Sequence, residues 1–169
     1  LIYSTTTQAQ LKAVAYKDGA QVLNGFAIAP TKKSKDKPGI LILPAWKGID
    51  KASKDIATDL SKLGYYSFVA DIYGEGNYPK DNAEAGKKSG FYKTNYKEYQ
   101  KRISLALEQL INAGANPDNI VVIGYCFGGT GALEAARGQL NVKGVVSFHG
   151  GLGKDKARNN EPITAKVLV

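Results

Sequence analysis

Apolar residues gather along this chain in short runs set apart by polar and glycine-rich stretches. The first two runs, Lys12–Tyr16 and Val22–Ala29, are β-prone and flank Lys17-Asp18-Gly19, where glycine supplies the positive φ of a tight turn. They predict an antiparallel hairpin. Gly39-Ile40-Leu41-Ile42-Leu43-Pro44 is continuously apolar, as a strand buried on both faces must be. Asp50 is placed to cap a helix over Lys51–Leu63, with Ile56, Leu60 and Leu63 on one face and Gly64 as its stop. A strand over Tyr66–Ala70 follows, then a long polar, glycine-rich stretch from Asp71 to Gly90 that reads as a loop. The stripe Tyr96, Tyr99, Ile103, Ala106, Leu110 predicts a helix near Tyr96–Ala113, ended by Gly114. Asn116-Pro117-Asp118 turns the chain into a strand at Ile120–Ile123. A helix over about Gly128–Arg137 and strands at Gly144–Phe148 and Lys166–Val169 complete the order. Alternating strands and helices predict an α/β fold. Its doubly wound, mostly parallel sheet has helices on both faces and is opened by the hairpin.

With 169 residues, 43% of them apolar, the chain is sized for one domain, placed at 11–169. Residues 1–10 read in two ways. Leu1-Ile2-Tyr3 followed by small and polar residues resembles the tail of a secretory signal peptide around its cleavage point, which points to export. A frayed cytosolic N-terminus reads equally well. At the other end, Val167-Leu168-Val169 stops within an apolar strand that lacks its covering helix, so the expectation is the first two-thirds of a longer domain.

The net charge of +8 comes mostly from scattered lysines, densest at Lys32–Lys37 between two apolar runs, where a solvated loop is expected. A nucleic-acid surface wants basic residues interleaved with aromatics on one element and arginine to fork bases and phosphates, yet arginine occurs only at 102, 137 and 158. No stretch approaches the ~20 apolar residues of a membrane span. Neither nucleic acid nor a membrane is expected as a partner, and no pattern assigns an oligomeric state.

One cysteine, Cys126, excludes an internal disulfide and a multi-cysteine metal site. It stands in Gly124-Tyr125-Cys126-Phe127-Gly128-Gly129, between a buried strand and an alanine-rich helix. A sharp strand-to-helix turn of this kind forces the middle residue into a strained conformation, and small flanking residues let the backbone close around it. A thiol there sits at a helix N-terminus, where the dipole and unpaired N–H groups favour the thiolate. The N–H of Phe127, next in sequence, points at a developing oxyanion. Other readings fit less well. A core filler needs no glycines on both sides, a dinucleotide fingerprint needs glycine at Cys126 and a place after the first strand, and a phosphate loop needs a Gly-Lys-Ser/Thr ending.

The same segment resembles the nucleophile elbow of the dienelactone hydrolase family. Asp71-Ile72-Tyr73-Gly74 resembles that family's motif after the second parallel strand, and Val146-Ser147-Phe148-His149-Gly150-Gly151 is similar to its next strand end; the likeness runs over about 22–169. The resemblance implies an α/β-hydrolase fold and a Cys-His-Asp triad acting on small-molecule esters or lactones, with no cofactor and no metal. It also implies a second oxyanion N–H from Trp46, in Leu43-Pro44-Ala45-Trp46-Lys47-Gly48. This chain departs from the strict family members at Ala45, where they carry Glu. The family's acid and histidine lie beyond the strand that reaches Val169, so the expected base and acid are not among these residues.

His149, the sole histidine, follows a strand end and so falls on the same sheet edge as Cys126. Three roles stay open for it: pocket wall, structural residue and triad base, the last against the usual order of nucleophile, acid, then histidine. Tyr73 and Tyr125 are pocket candidates, and Asp71 reads as a residue that orders its own loop. Two functions follow. The first is a cysteine-dependent hydrolase; the second is a non-catalytic remnant or small-ligand binding module that retains the fold.

Overall fold

The computed structural model describes residues 9–159 and 161–169. The expected leader or frayed tail at 1–10 falls almost wholly outside the described residues. Seven strands, β1 (Lys12–Asp18), β2 (Gln21–Ile28), β3 (Gly39–Leu43), β4 (Tyr66–Val69), β5 (Ile120–Tyr125), β6 (Gly144–Phe148) and β7 (Lys166–Leu168), form one sheet. Four helices flank it: α1 (Lys51–Lys62), α2 (Asn82–Thr94), α3 (Tyr96–Asn112) and α4 (Phe127–Arg137).

The strand order is β1-β2-β4-β3-β5-β6-β7. β1 and β2 pair antiparallel from Asp18↔Gln21, which leaves a two-residue turn at Gly19, where φ is +59°. β2 pairs antiparallel with β4, and every later pairing is parallel. The apolar run of β3 is explained by its two faces. Leu41 and Leu43 pack with Phe68, Tyr99, Ile103 and Leu110 on the side of α3 and α4, while Ile40 and Ile42 pack with Val69 and Ala57 on the side of α1. A strand covered on both faces has no position for a polar side chain.

From β3 the chain winds to β4 on one side, then crosses back to β5 on the other. The loops after β3 and β5 therefore diverge at the C-terminal edge of the sheet, the crevice where open α/β folds bind ligands.

Asp50 caps α1 as expected: its carboxylate accepts from the Ser53 N–H, and the Ser53 hydroxyl meets the Asp50 N–H. Two expectations are corrected. Leu63 is 73% exposed rather than part of the buried stripe; α1 approaches the sheet through the small residues Ser53, Ala57 and Ser61, with Ile56 and Leu60 half-buried beside them. The stretch Asp71–Gly90 is not loop throughout, because α2 begins at Asn82, capped by the Asp81 carboxylate on the Glu84 N–H. Among the described residues no helix is long and apolar enough to cross a membrane.

Candidate active site

β5 passes into α4 through one residue, Cys126, at φ 55° and ψ −110°. An L-residue in such a conformation costs of order 1–3 kcal/mol, and the surroundings hold it there. The Cys126 N–H donates to the Phe148 carbonyl (3.0 Å), and the Cys126 carbonyl accepts from the Thr130 N–H (3.1 Å). The flanking glycines are required because three backbones meet here. A Cβ on Gly124 would lie 1.9 Å from the Gly128 oxygen, and one on Gly128 would lie 2.0 Å from the Leu43 oxygen. The thiol itself is half-buried.

Phe127 opens α4, so its N–H has no intrahelical acceptor. Trp46 lies in the turn after β3, which the Gly48 N–H closes on the Ala45 carbonyl at 2.9 Å. In a trans peptide the N–H points opposite the C=O, so with the Ala45 carbonyl turned inward the Trp46 N–H faces out of the turn. Among the described residues neither N–H has an acceptor. Two unpaired amides, one on each loop beside the β3–β5 crevice, are what a developing oxyanion needs.

Aromatic side chains underlie both loops. The Phe127 ring lies parallel to Tyr99 (centroids 4.6 Å apart, 7°) and to Tyr73 (5.9 Å, 5°). The Tyr99 hydroxyl donates to the Phe127 carbonyl at 3.0 Å, and the Tyr73 hydroxyl donates to the Trp46 carbonyl at 2.6 Å. Burial holds both phenols well above their ordinary range. At Tyr99 the nearby Glu134 carboxylate adds to this. Both phenols thus stay protonated donors.

Asp71 is buried, and its carboxylate accepts from the Asn24 N–H (2.8 Å), the Gly74 N–H (2.9 Å) and the Tyr78 hydroxyl (2.7 Å). It orders its own loop. His149 follows β6 directly, one residue beyond the carbonyl that holds the Cys126 amide; it is exposed, with φ 44°. Among the described residues no side chain hydrogen-bonds the Cys126 sulfur. Tyr125 is half-buried and stacks on Phe148 (4.6 Å, 7°).

Tyr73 and Tyr92 also wall a cleft of about 550 Å³ with Tyr78, Lys80, Lys87 and Lys88, and Cys126 is not among its lining residues. No group of three or more His, Cys, Asp or Glu among the described residues could hold a metal ion.

Sequence reasoning placed Tyr99 only in a hydrophobic stripe and missed its hold on the elbow. The available signal was Gly131, where a Cβ would lie 2.4 Å from the Tyr99 oxygen. It also missed Glu134. This buried carboxylate takes both guanidinium nitrogens of Arg158 (2.9 and 2.8 Å), with Arg137 at 3.0 Å and Gln100 at 2.9 Å, and so fastens the loop after β6 to α4. Arg158 in turn lies over the Tyr96 ring at 3.5 Å.

Comparison with known proteins places the chain among relatives. A sequence model of the dienelactone hydrolase family matches residues 23–169. A probable 2-oxo-3-(5-oxofuran-2-ylidene)propanoate lactonase from Bradyrhizobium sp. is 31% identical over 129 residues, which are 75% of this chain and 51% of that protein. The chain therefore spans about half the length of that relative. A dienelactone hydrolase-like promiscuous phosphotriesterase from metagenomic libraries superposes with a TM-score of 0.81 at 29% identity, over 89% of this chain and 63% of that one. A dienelactone hydrolase from Anabaena variabilis shares the fold, with a TM-score of 0.62 at 21% identity over 85% of this chain and 64% of that one.

Proposed function

The chain belongs to the dienelactone hydrolase family, and from that premise we propose that it serves a hydrolase that cleaves ester or lactone bonds of small molecules, with Cys126 as nucleophile. The observation that carries this reading is the elbow itself, a strained cysteine between two loops that each offer an unpaired N–H. A strained backbone is retained where it presents a reacting group.

In the proposed reaction the Cys126 thiolate attacks the carbonyl carbon, and the carbonyl π electrons move to oxygen. The N–H groups of Phe127 and Trp46 hold that oxyanion. Collapse of the tetrahedral species re-forms the C=O and breaks the bond to the alkoxide, which takes a proton from the conjugate acid of the base. The product is a thioester on Cys126, and water attacks it to release the acid and regenerate the thiol. A lactone follows the same course with its alkoxide still tethered. We assign the base and its orienting acid to the family's later positions rather than to His149, which is exposed and makes no hydrogen bond to the sulfur among the described residues. His149 and Tyr125 are assigned to the rim of the pocket.

The test is release of phenol from an activated phenyl ester and ring opening of a simple lactone, each followed for the purified protein carrying those later positions and for its Cys126→Ala variant. The hydrolase reading expects turnover that the variant abolishes. Turnover unaffected by the variant removes Cys126 from the mechanism. No turnover by either protein favours a binding module that retains the fold.

A further inference from the structure

We propose that Tyr73 is a positioning residue that holds the two oxyanion loops in register. This rests on the hydrolase reading. Three observations meet at this one side chain. Its hydroxyl donates to the Trp46 carbonyl at 2.6 Å, which ties down the turn whose first peptide carries the outward-facing Trp46 N–H. Its ring lies parallel to Phe127, 5.9 Å away, so it touches the residue that bears the other oxyanion N–H. Its own backbone is anchored separately, because Asp71 and Gly74 on either side are bound together by the Asp71 carboxylate. Tyr73 is 3% exposed and comes from the loop after β4, a third segment that joins the segments after β3 and β5.

The turn needs such a brace. Gly48 stands at φ +86°, and its nearest neighbours are the Tyr73 ring carbons, 3.5 and 3.8 Å from where a Cβ would be. The ring thus packs against the far corner of the turn while the hydroxyl holds its middle. The role is not proton transfer. A phenol has one proton, and here it is committed to the Trp46 carbonyl, while burial keeps the group protonated. Tyr73 acts through the Trp46 and Phe127 amides and does not touch the reacting atoms.

Tyr73→Phe keeps the ring and removes the hydroxyl. An amide displaced by a fraction of an ångström stabilises the transition state less while ground-state binding is kept, so kcat is expected to fall about tenfold to a hundredfold with KM little changed. Tyr66→Phe serves as the control. It also loses the hydroxyl of a buried tyrosine, one at the opposite end of β4 from the Tyr73 loop, and it is expected to stay within about twofold of wild-type kcat. A second readout does not depend on turnover. Trp46 is the sole tryptophan, so acrylamide quenching of its fluorescence reports the turn directly, and Tyr73→Phe is expected to increase it.

A Tyr73→Phe protein with wild-type kcat, or with unchanged quenching, overturns the positioning role. If the wild type itself shows no turnover, the hydrolase reading fails and the catalytic role falls with it. The quenching experiment then still decides whether Tyr73 braces the turn.

Discussion

The strain at Cys126 is local and opposes folding. With φ 55° and ψ −110°, it occupies backbone space that glycine enters freely and other residues do not. Cys126→Gly is therefore predicted to stabilise the protein by about 1 kcal/mol in urea unfolding, the relief of strain exceeding the added chain entropy of glycine. It should at the same time remove all ester cleavage. A gain in stability with loss of activity is the signature of a residue kept for chemistry. The sharp turn at Cys126 was readable because the glycines around it follow a recognisable spacing, while Trp46 was singled out only through the family resemblance. Tyr99 and Glu134 were not readable, because a hydroxyl or carboxylate that meets a partner tens of residues away leaves no local pattern. Only Gly131, a small residue where a bulkier one would pack, marked the close approach of Tyr99.

Among the elements, α2 shows why a helix can escape a periodicity reading. Its inward face is Ala85, Ser89 and Tyr92, two of them small, and Gly86 and Gly90 lower its intrinsic propensity. Its cap was passed over as well, although Asp81 three residues before Glu84 is a helix-start signature. Packing overrides propensity here, since Tyr92 joins the aromatic group of Tyr73, Tyr99 and Phe127. α4 carries the other cross-link. Glu134 is the shared partner of Arg158, Arg137 and Gln100, and Arg158 is itself buried. Glu134→Ala leaves a buried guanidinium without its counter-charge and is predicted to cost about 3 kcal/mol in urea unfolding. It should also open the loop around Gly151–Arg158 to limited proteolysis well below the unfolding transition.

For the whole molecule, the parallel sheet, its antiparallel hairpin and the strand-to-helix turn at Cys126 were all legible, since runs buried on two faces, turn glycines and alternation of strand with helix are encoded locally. The hairpin's ionic link to α3 was not. It rests on Asp18, whose carboxylate meets Lys101 at 2.6 Å and Arg102 at 2.9 Å, with Arg102 also donating to the Ile72 carbonyl. The hydrogen bond from Lys101, outweighing the opposing effect of partial burial, holds the Asp18 carboxyl below its ordinary range, with the Arg102 charge adding to it. A carboxyl held low in the folded state stabilises above about pH 4 and loses that contribution as pH falls further. Asp18→Asn should lower the melting temperature at neutral pH, and the gap to wild type should close in acid. The central claim is that Cys126 is the nucleophile, and it is tested most directly by trapping its acyl form. The purified protein is mixed with an activated phenyl ester, quenched in acid within its first turnovers, and its intact mass and peptide map are measured. The account predicts one added acyl group per chain, carried by the peptide that contains Cys126 and absent from Cys126→Ala. Phenol release with no adduct on that peptide, or an adduct that persists in the variant, would contradict it.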